Sequence, residues 1–271
     1  MTCTAPAHAE AARLSWHANW RRVSGLEYGL TGTAAAATLL LYFAVPDASE
    51  PRWLGGVVGD APVRNAFRLR APEARDLARS ASDLTALSTV AWAVAVDSLT
   101  VPLARRSTDV AAQLSALDAE ALSISSLIST AIFKAAARGR PSFADCQRDP
   151  SFDPLCGRRS NESFPSGHAS VAFTAAGLSC AHHLHLALYA NRDADVLACV
   201  GMLTLAAATG TLRVLGDRHH ASDVWFGALL GFAVGYGMPT LFHYGRVQTD
   251  SQAAATQPLG AGFVPTISGI F

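Results

Sequence analysis

The chain has 271 residues, with 21 basic against 21 acidic side chains and a formal net charge of zero. Half of it is hydrophobic and 15% is charged, against roughly 25% in soluble domains. Neutrality leaves no electrostatic footprint for nucleic acid, and so little charge points to a membrane protein.

In chain order, the first 24 residues are polar and hold Trp16, Trp20, Arg21 and Arg22 just before an apolar stretch. That reads as a cytoplasmic membrane anchor, and no apolar core precedes a cleavage site as in a signal peptide. Residues 28–46, 163–191, 196–212 and 224–245 are uncharged or nearly so, and each predicts a membrane span. Two further spans are expected over 84–104, interrupted by Asp97, and 111–137, which contains Asp118, Glu120 and Lys134. Acidic residues inside spans face other helices or water and tend to be functional. The connector 61–83 reads as two short helices divided at Pro72, lying on the membrane or in solvent. The expected architecture is an all-α polytopic bundle of about six transmembrane helices. It divides into an N-terminal cytoplasmic segment (1–24), a membrane-embedded domain (25–245) and a tail (246–271). The competing reading is a soluble helical protein whose buried helices imitate spans.

Of the 21 basic residues all but one are arginine, and the exception is Lys134. Either this is compositional bias, or position 134 needs a compact ammonium that guanidinium cannot replace. The five cysteines form no C-x-x-C pair. Cys146 and Cys156 flank one polar loop and can pair in an oxidising compartment, whereas Cys180 and Cys199 read as core residues.

Under the six-span layout three polar clusters fall on one side of the membrane: "KAAARGRP" (134–141), "PSGH" (165–168) and "RVLGDRHHASD" (213–223). Such charge density at a bilayer boundary calls for a polyanion, and phosphate fits. The start of a helix offers unpaired N–H groups and the positive dipole end. There Gly167 allows close approach, Ser166 adds a hydroxyl, and His168 stands beside the bound group. A capped helix start with an incidental histidine is the plain alternative. His219 and Asp223 are four apart, so the carboxylate can fix the imidazole tautomer and leave the other nitrogen free to attack phosphorus. His220 is also within helical reach of Asp223, so spacing does not choose between the two histidines.

Together the clusters resemble the signature of the type-2 phosphatidic acid phosphatase superfamily, which includes the vanadium-dependent haloperoxidases: K-x6-R-P, then P-S-G-H, then S-R-x5-H-x3-D. The likeness covers roughly residues 111–245. The second part is complete at Pro165–His168, and the third matches at Arg213, His219 and Asp223, a register that selects His219 over His220. Leu212 stands where the family has serine. Lys134 and Arg140 are one residue too close, which on a continuous helix turns them about 120° apart. Either the helix unwinds near Gly139 and re-aims Arg140, or Arg138 takes its place.

The resemblance implies a membrane lipid-phosphate phosphatase acting on phosphatidate, phosphatidylglycerophosphate or a polyprenyl diphosphate. It implies that Lys134, Arg140 and Arg213 hold phosphate oxygens, helped by Ser166 and the Gly167 N–H. His219 would form a phosphohistidine with Asp223 orienting it, and His168 would protonate the leaving oxygen and then activate water. No metal or other cofactor is implied, and the partners are the lipid substrate and the membrane. The expected setting is a bacterial inner membrane with the site facing the periplasm. Two rival functions use the same residues. One is a vanadate-dependent haloperoxidase. The other is a non-enzymatic anion carrier with Asp97, Asp118 and Glu120 as a proton path.

Overall fold

The computed structural model describes residues 13–57, 59–157 and 161–245. Within them the chain is helical, and an isolated bridge between Trp53 and Arg138 is the one strand-like pairing. The long helices are α1 (Gly25–Phe43), α3 (Pro72–Ala91), α5 (Thr108–Ala136), α7 (Gly167–Leu186), α8 (Arg192–Leu215) and α9 (Ala221–Phe232). Shorter ones are α2 (Asp60–Phe67), α4 (Val101–Ala104) and α6 (Phe143–Arg148). A π-helical stretch, Trp92–Thr100, joins α3 to α4 into one rod, Pro72–Ala104. Similar stretches extend α9 to Tyr244.

Local chemistry sets the ends. Ser24 caps α1 in a reciprocal box with Glu27, and the side chains of Ser107, Ser166 and Asn191 cap α5, α7 and α8. Pro72 opens α3, its missing N–H costing nothing in a first turn. The expected division of the connector at Pro72 is thus present, but its second half continues straight into the expected 84–104 span.

Among the described residues four helical rods are long and apolar enough to cross a membrane: Pro72–Ala104, Thr108–Ala136, Arg192–Leu215 and Ala221–Tyr244. Both acid-interrupted spans are among them. The other two expected spans, 28–46 and 163–191, correspond to the helices α1 and α7. Helix α7 is buried nearly all round, and His182, His183 and His185 at its end find partners inside the bundle. Large apolar side chains on the outer rods face outward, among them Leu84, Leu87, Leu197, Trp225 and Leu229. That distribution suits an all-helical membrane bundle, whose outer surface meets acyl chains rather than water.

Helix α7 is the axle, touching α3, α5, α8 and α9. Its contact with α9 is backbone on backbone through Gly227, Gly231 and Gly235. A Cβ on Gly231 would stand 2.2 Å from the Ser170 carbonyl oxygen, and one on Gly235 2.1 Å from that of Thr174. This small-residue stripe lets two helices approach without a side chain between them, and it sets α9's first turn beside α7's.

The arginine-rich connector is part of the frame rather than a membrane-surface or solvated strap. Buried Asp153 is gripped by Arg75 (2.9 Å) and Arg79 (2.7 Å). Arg64 holds Asp217 through two bonds of 2.7 Å. Cys146 and Cys156 are bonded, with Cα atoms 5.3 Å apart, beside these clamps. Cys180 and Cys199 are bonded as well, so they are more than the core residues the sequence suggested.

Candidate active site

Helix α8 ends at Leu215 and α9 begins at Ala221, so the turn between them delivers Arg218, His219 and His220 to the start of α7. The turn is fixed from outside by Arg64 on Asp217 and by Arg79 Nε on the Gly216 carbonyl at 2.8 Å. A cavity of about 540 Å³ opens there. His168, His219, Gly167, Arg140, Arg213 and Arg218 line its polar side, with Asp83 and Glu162. Tyr42, Leu87, Val90, Phe133 and Val171 line the rest. One hollow therefore joins a cationic floor to an apolar wall.

His219 is buried, and its Nδ1 lies 2.7 Å from the Ser163 carbonyl oxygen. A carbonyl only accepts, so Nδ1 carries the proton and Nε2 keeps its lone pair. Burial, then the charges of Arg140 and Arg213, hold the imidazole well below its usual range. In the neutral state it can attack an electrophile.

Asp223 does not touch His219 as expected: its Oδ2 is 3.9 Å from Nδ1. That oxygen instead accepts from Ser163 Oγ (2.6 Å) and the His220 amide (2.8 Å), while Oδ1 meets Arg138. Its link to His219 runs through Ser163, whose hydroxyl it holds and whose carbonyl orients the ring. His220 is spent differently, as the N-cap of α9 with its ring toward the Gly139 carbonyl, and it does not line the cavity.

The cations divide cleanly. Helix α5 stops at Ala136, and Ala137 turns left-handed (φ 41°), earlier than the unwinding expected near Gly139. The following segment buries Arg138 against Asp60 (2.9 Å), Asp223 and Ser222, stacked 4.0 Å over the Trp53 ring. Arg140 continues into the cavity. So Arg140, not Arg138, lines the cavity. Lys134 does not reach the cavity: its ammonium donates to Asp47 (2.5 Å) and the Val45 carbonyl (2.6 Å). The early helix end explains this, because Lys134 still belongs to the α5 cylinder and points back at the segment after α1. Ser166 is also committed elsewhere, its buried Oγ accepting from the Ala169 amide. Gly167 does line the cavity, and a Cβ there would meet no protein atom within 4 Å and would protrude into it.

Arg218 and Asp83 are cavity residues the sequence did not single out. Burial, then Arg213 and Arg79, push the Arg218 guanidinium down to about 10, and burial with Arg218 and Arg213 lowers Arg140 as well. Mutual repulsion among three arginines is relieved by a multiply charged anion. Asp83, on α3, lies 2.9 Å from both His168 Nε2 and Arg213 Nη1. Its carboxylate sits where an oxyanion would find the same two donors. No sequence signal marks it, since it arrives by packing of α3 on α8. Asp97 and Asp118 lie elsewhere, buried against Ser179 (2.5 Å) and His182 (3.0 Å).

Comparison with known proteins points the same way. The PAP2 superfamily model matches residues 119–246. Over 73 residues, 27% of this chain, the sequence is 41% identical to lipid A 1-phosphatase of Porphyromonas gingivalis, of which that stretch covers 15%. Over 77 residues it is 36% identical to a Schizosaccharomyces pombe protein named probable diacylglycerol pyrophosphate phosphatase 1, covering 28% of it. The chain thus spans well under a third of either relative in these matches. No solved structure gives a significant match. The stretch 119–246 carries Arg140, P-S-G-H, Arg213 and His219 together, and over it the chain is similar to the PAP2 superfamily.

Proposed function

We propose that this protein is a membrane phosphatase that hydrolyses phosphorylated lipids, either monoesters or diphosphates, through a phosphohistidine at His219. The observation that carries the reading is the joining of Arg140, Arg213, Arg218 and two histidines to an apolar wall in one cavity. The floor suits a phosphoryl group, and the wall of Leu87, Val90, Phe133 and Val171 suits the first part of a lipid tail. The names of both relatives refer to phosphorylated lipids, which supports the same class.

In this reading the arginines and the N–H groups at the start of α7 hold the nonbridging oxygens and stabilise the charge of transfer. His219 Nε2 attacks phosphorus while the bond to the lipid oxygen breaks, and His168 gives that oxygen its proton. His168 then removes a proton from water, which attacks the phosphohistidine and releases inorganic phosphate. Arrival of the phosphate draws His168 and Arg213 away from Asp83, since all three share the same space. Lys134 and Ser166, which the family resemblance assigned to phosphate, act instead as a clamp on the α1 end and as a helix cap. The Cys146–Cys156 bond in the segment between α5 and α7 supports an oxidising compartment, hence a periplasm-facing site.

The test is phosphate release from short-chain phosphatidate and diacylglycerol pyrophosphate by protein purified in detergent. Release from at least one supports the reading. No release from any phosphorylated lipid, alongside halide oxidation when vanadate and peroxide are supplied, would replace it with a haloperoxidase.

A further inference from the structure

At the other end of the bundle three buried side chains from separate helices converge. They are Glu27 of α1, Glu120 of α5 and His243 in the last turn of the rod that begins as α9; each is under 10% exposed. Glu120 precedes Lys134 by fourteen residues, so the group lies about 21 Å along α5 from the cavity end. One ligand-type atom from each residue lies within 4.8 Å of the other two. His243 Nε2 is 3.6 Å from Glu27 Oε1 and 3.8 Å from Glu120 Oε2. These distances are too long for hydrogen bonds. They are close to the roughly 3.3–3.6 Å between neighbouring ligands around a zinc ion bound at about 2.0–2.2 Å.

Two further features point to a ligand. Glu120 Oε2 is buried with no hydrogen-bond partner and faces the group. Such an oxygen is costly to leave unpaired. The second feature is the state of His243. Its Nδ1 lies 3.2 Å from the Arg21 carbonyl, which must accept, so Nε2 presents a lone pair to the two carboxylates. A main-chain carbonyl on the distal nitrogen is the usual outer support of a metal-ligating histidine. Glu27 is held in turn, its Oε2 accepting from the Ser24 amide and hydroxyl at 2.7 Å. Arg21 donates to Glu27 Oε1 at 2.5 Å and so balances one carboxylate, while Glu120 lacks such a partner.

We propose that Glu27, Glu120 and His243 form a structural site for a divalent transition metal of the zinc class, clamping α1 and the final rod to α5. It is separate from the phosphoryl cavity and takes no part in its chemistry.

The experiment uses the full chain in detergent, stripped with a chelator, re-equilibrated with zinc alone and desalted. Expected are about one zinc per chain by elemental analysis and a rise in thermal midpoint on adding zinc. Both should be lost in Glu120→Gln and in His243→Gln, while phosphate release by the folded variants stays within about twofold of the parent. Should those variants not fold, cobalt(II) loading of the parent decides. Intense visible bands of a tetrahedral site without sulfur ligation support the proposal. Absence of retained metal in the parent, sulfur ligation, or unchanged zinc content in both variants would overturn it.

Discussion

The ring of His219 is oriented by Ser163, whose carbonyl oxygen lies 2.7 Å from its Nδ1, while Asp223 stands 3.9 Å away and holds Ser163 by its hydroxyl. The carbonyl belongs to the main chain, so Ser163→Ala keeps it and should retain activity within about tenfold. Asp223→Ala breaks more: it removes one of the two carboxylates that hold buried Arg138 and leaves Asp60 as the other, a loss of up to about 3–5 kcal/mol. A thermal midpoint well below the parent's, together with a large fall in kcat, is expected for Asp223→Ala and not for Ser163→Ala. Equal behaviour of the two variants would contradict this division.

Arg138 and Arg140 are two residues apart in sequence and do opposite work. Arg140→Ala should raise KM and lower kcat, by tenfold or more together, with little change in thermal midpoint. Arg138→Ala should unfold the protein at a lower temperature, because it leaves the carboxylates of Asp60 and Asp223 unpaired in the interior. Steady-state kinetics beside thermal unfolding of both variants checks the contrast.

Lys134 pairs with Asp47 and the Val45 carbonyl outside the cavity. Lys134→Arg should therefore keep kcat and KM near the parent's. Lys134→Ala should lower stability rather than substrate affinity. A tenfold rise in KM for Lys134→Arg, with stability unchanged, would return the lysine to the phosphate.

The pH dependence has a definite sign. Burial and the charges of Arg140 and Arg213 depress the His219 pKa, so its imidazole stays neutral below the usual histidine range near 6.5, as the proposed nucleophile requires. Removing one of those charges lets the pKa rise. The acid limb of kcat/KM should move to higher pH in Arg140→Gln than in the parent, measured on one substrate so that its own ionisation cancels. A shift to lower pH, or none, would mean that His219 is not the group titrating.

Much of the site was legible because its signals are local. P-S-G-H marks a helix start whatever surrounds it, and the order Arg213, His219, Asp223 fixes a register that the α8–α9 turn then uses. The sequence points Lys134 at a phosphate and the structure does not, because its direction depends on where α5 stops, and the left-handed conformation of Ala137 cannot be read from alanine. Asp83 is not marked in the sequence since nothing there joins α3 to the turn after α8; packing does. Arg218 lies within the 213–223 cluster, but the family register gives that position no role. The sequence predicts a span at α7, and its histidines are tolerated there because they find partners inside the bundle. The spacing of Gly227, Gly231 and Gly235 was visible, but its meaning depended on knowing that α7 is the opposite face.

The central claim is that His219 takes the phosphoryl group in a cradle of Arg140, Arg213 and Arg218. The most direct measurement reacts the protein with a substrate carrying a ³²P phosphoryl group, quenches in alkaline detergent and maps the labelled peptide. Label on His219, lost in His219→Asn and kept in His220→Asn, is the predicted result. Label on any other residue, or label undiminished in His219→Asn, would contradict it.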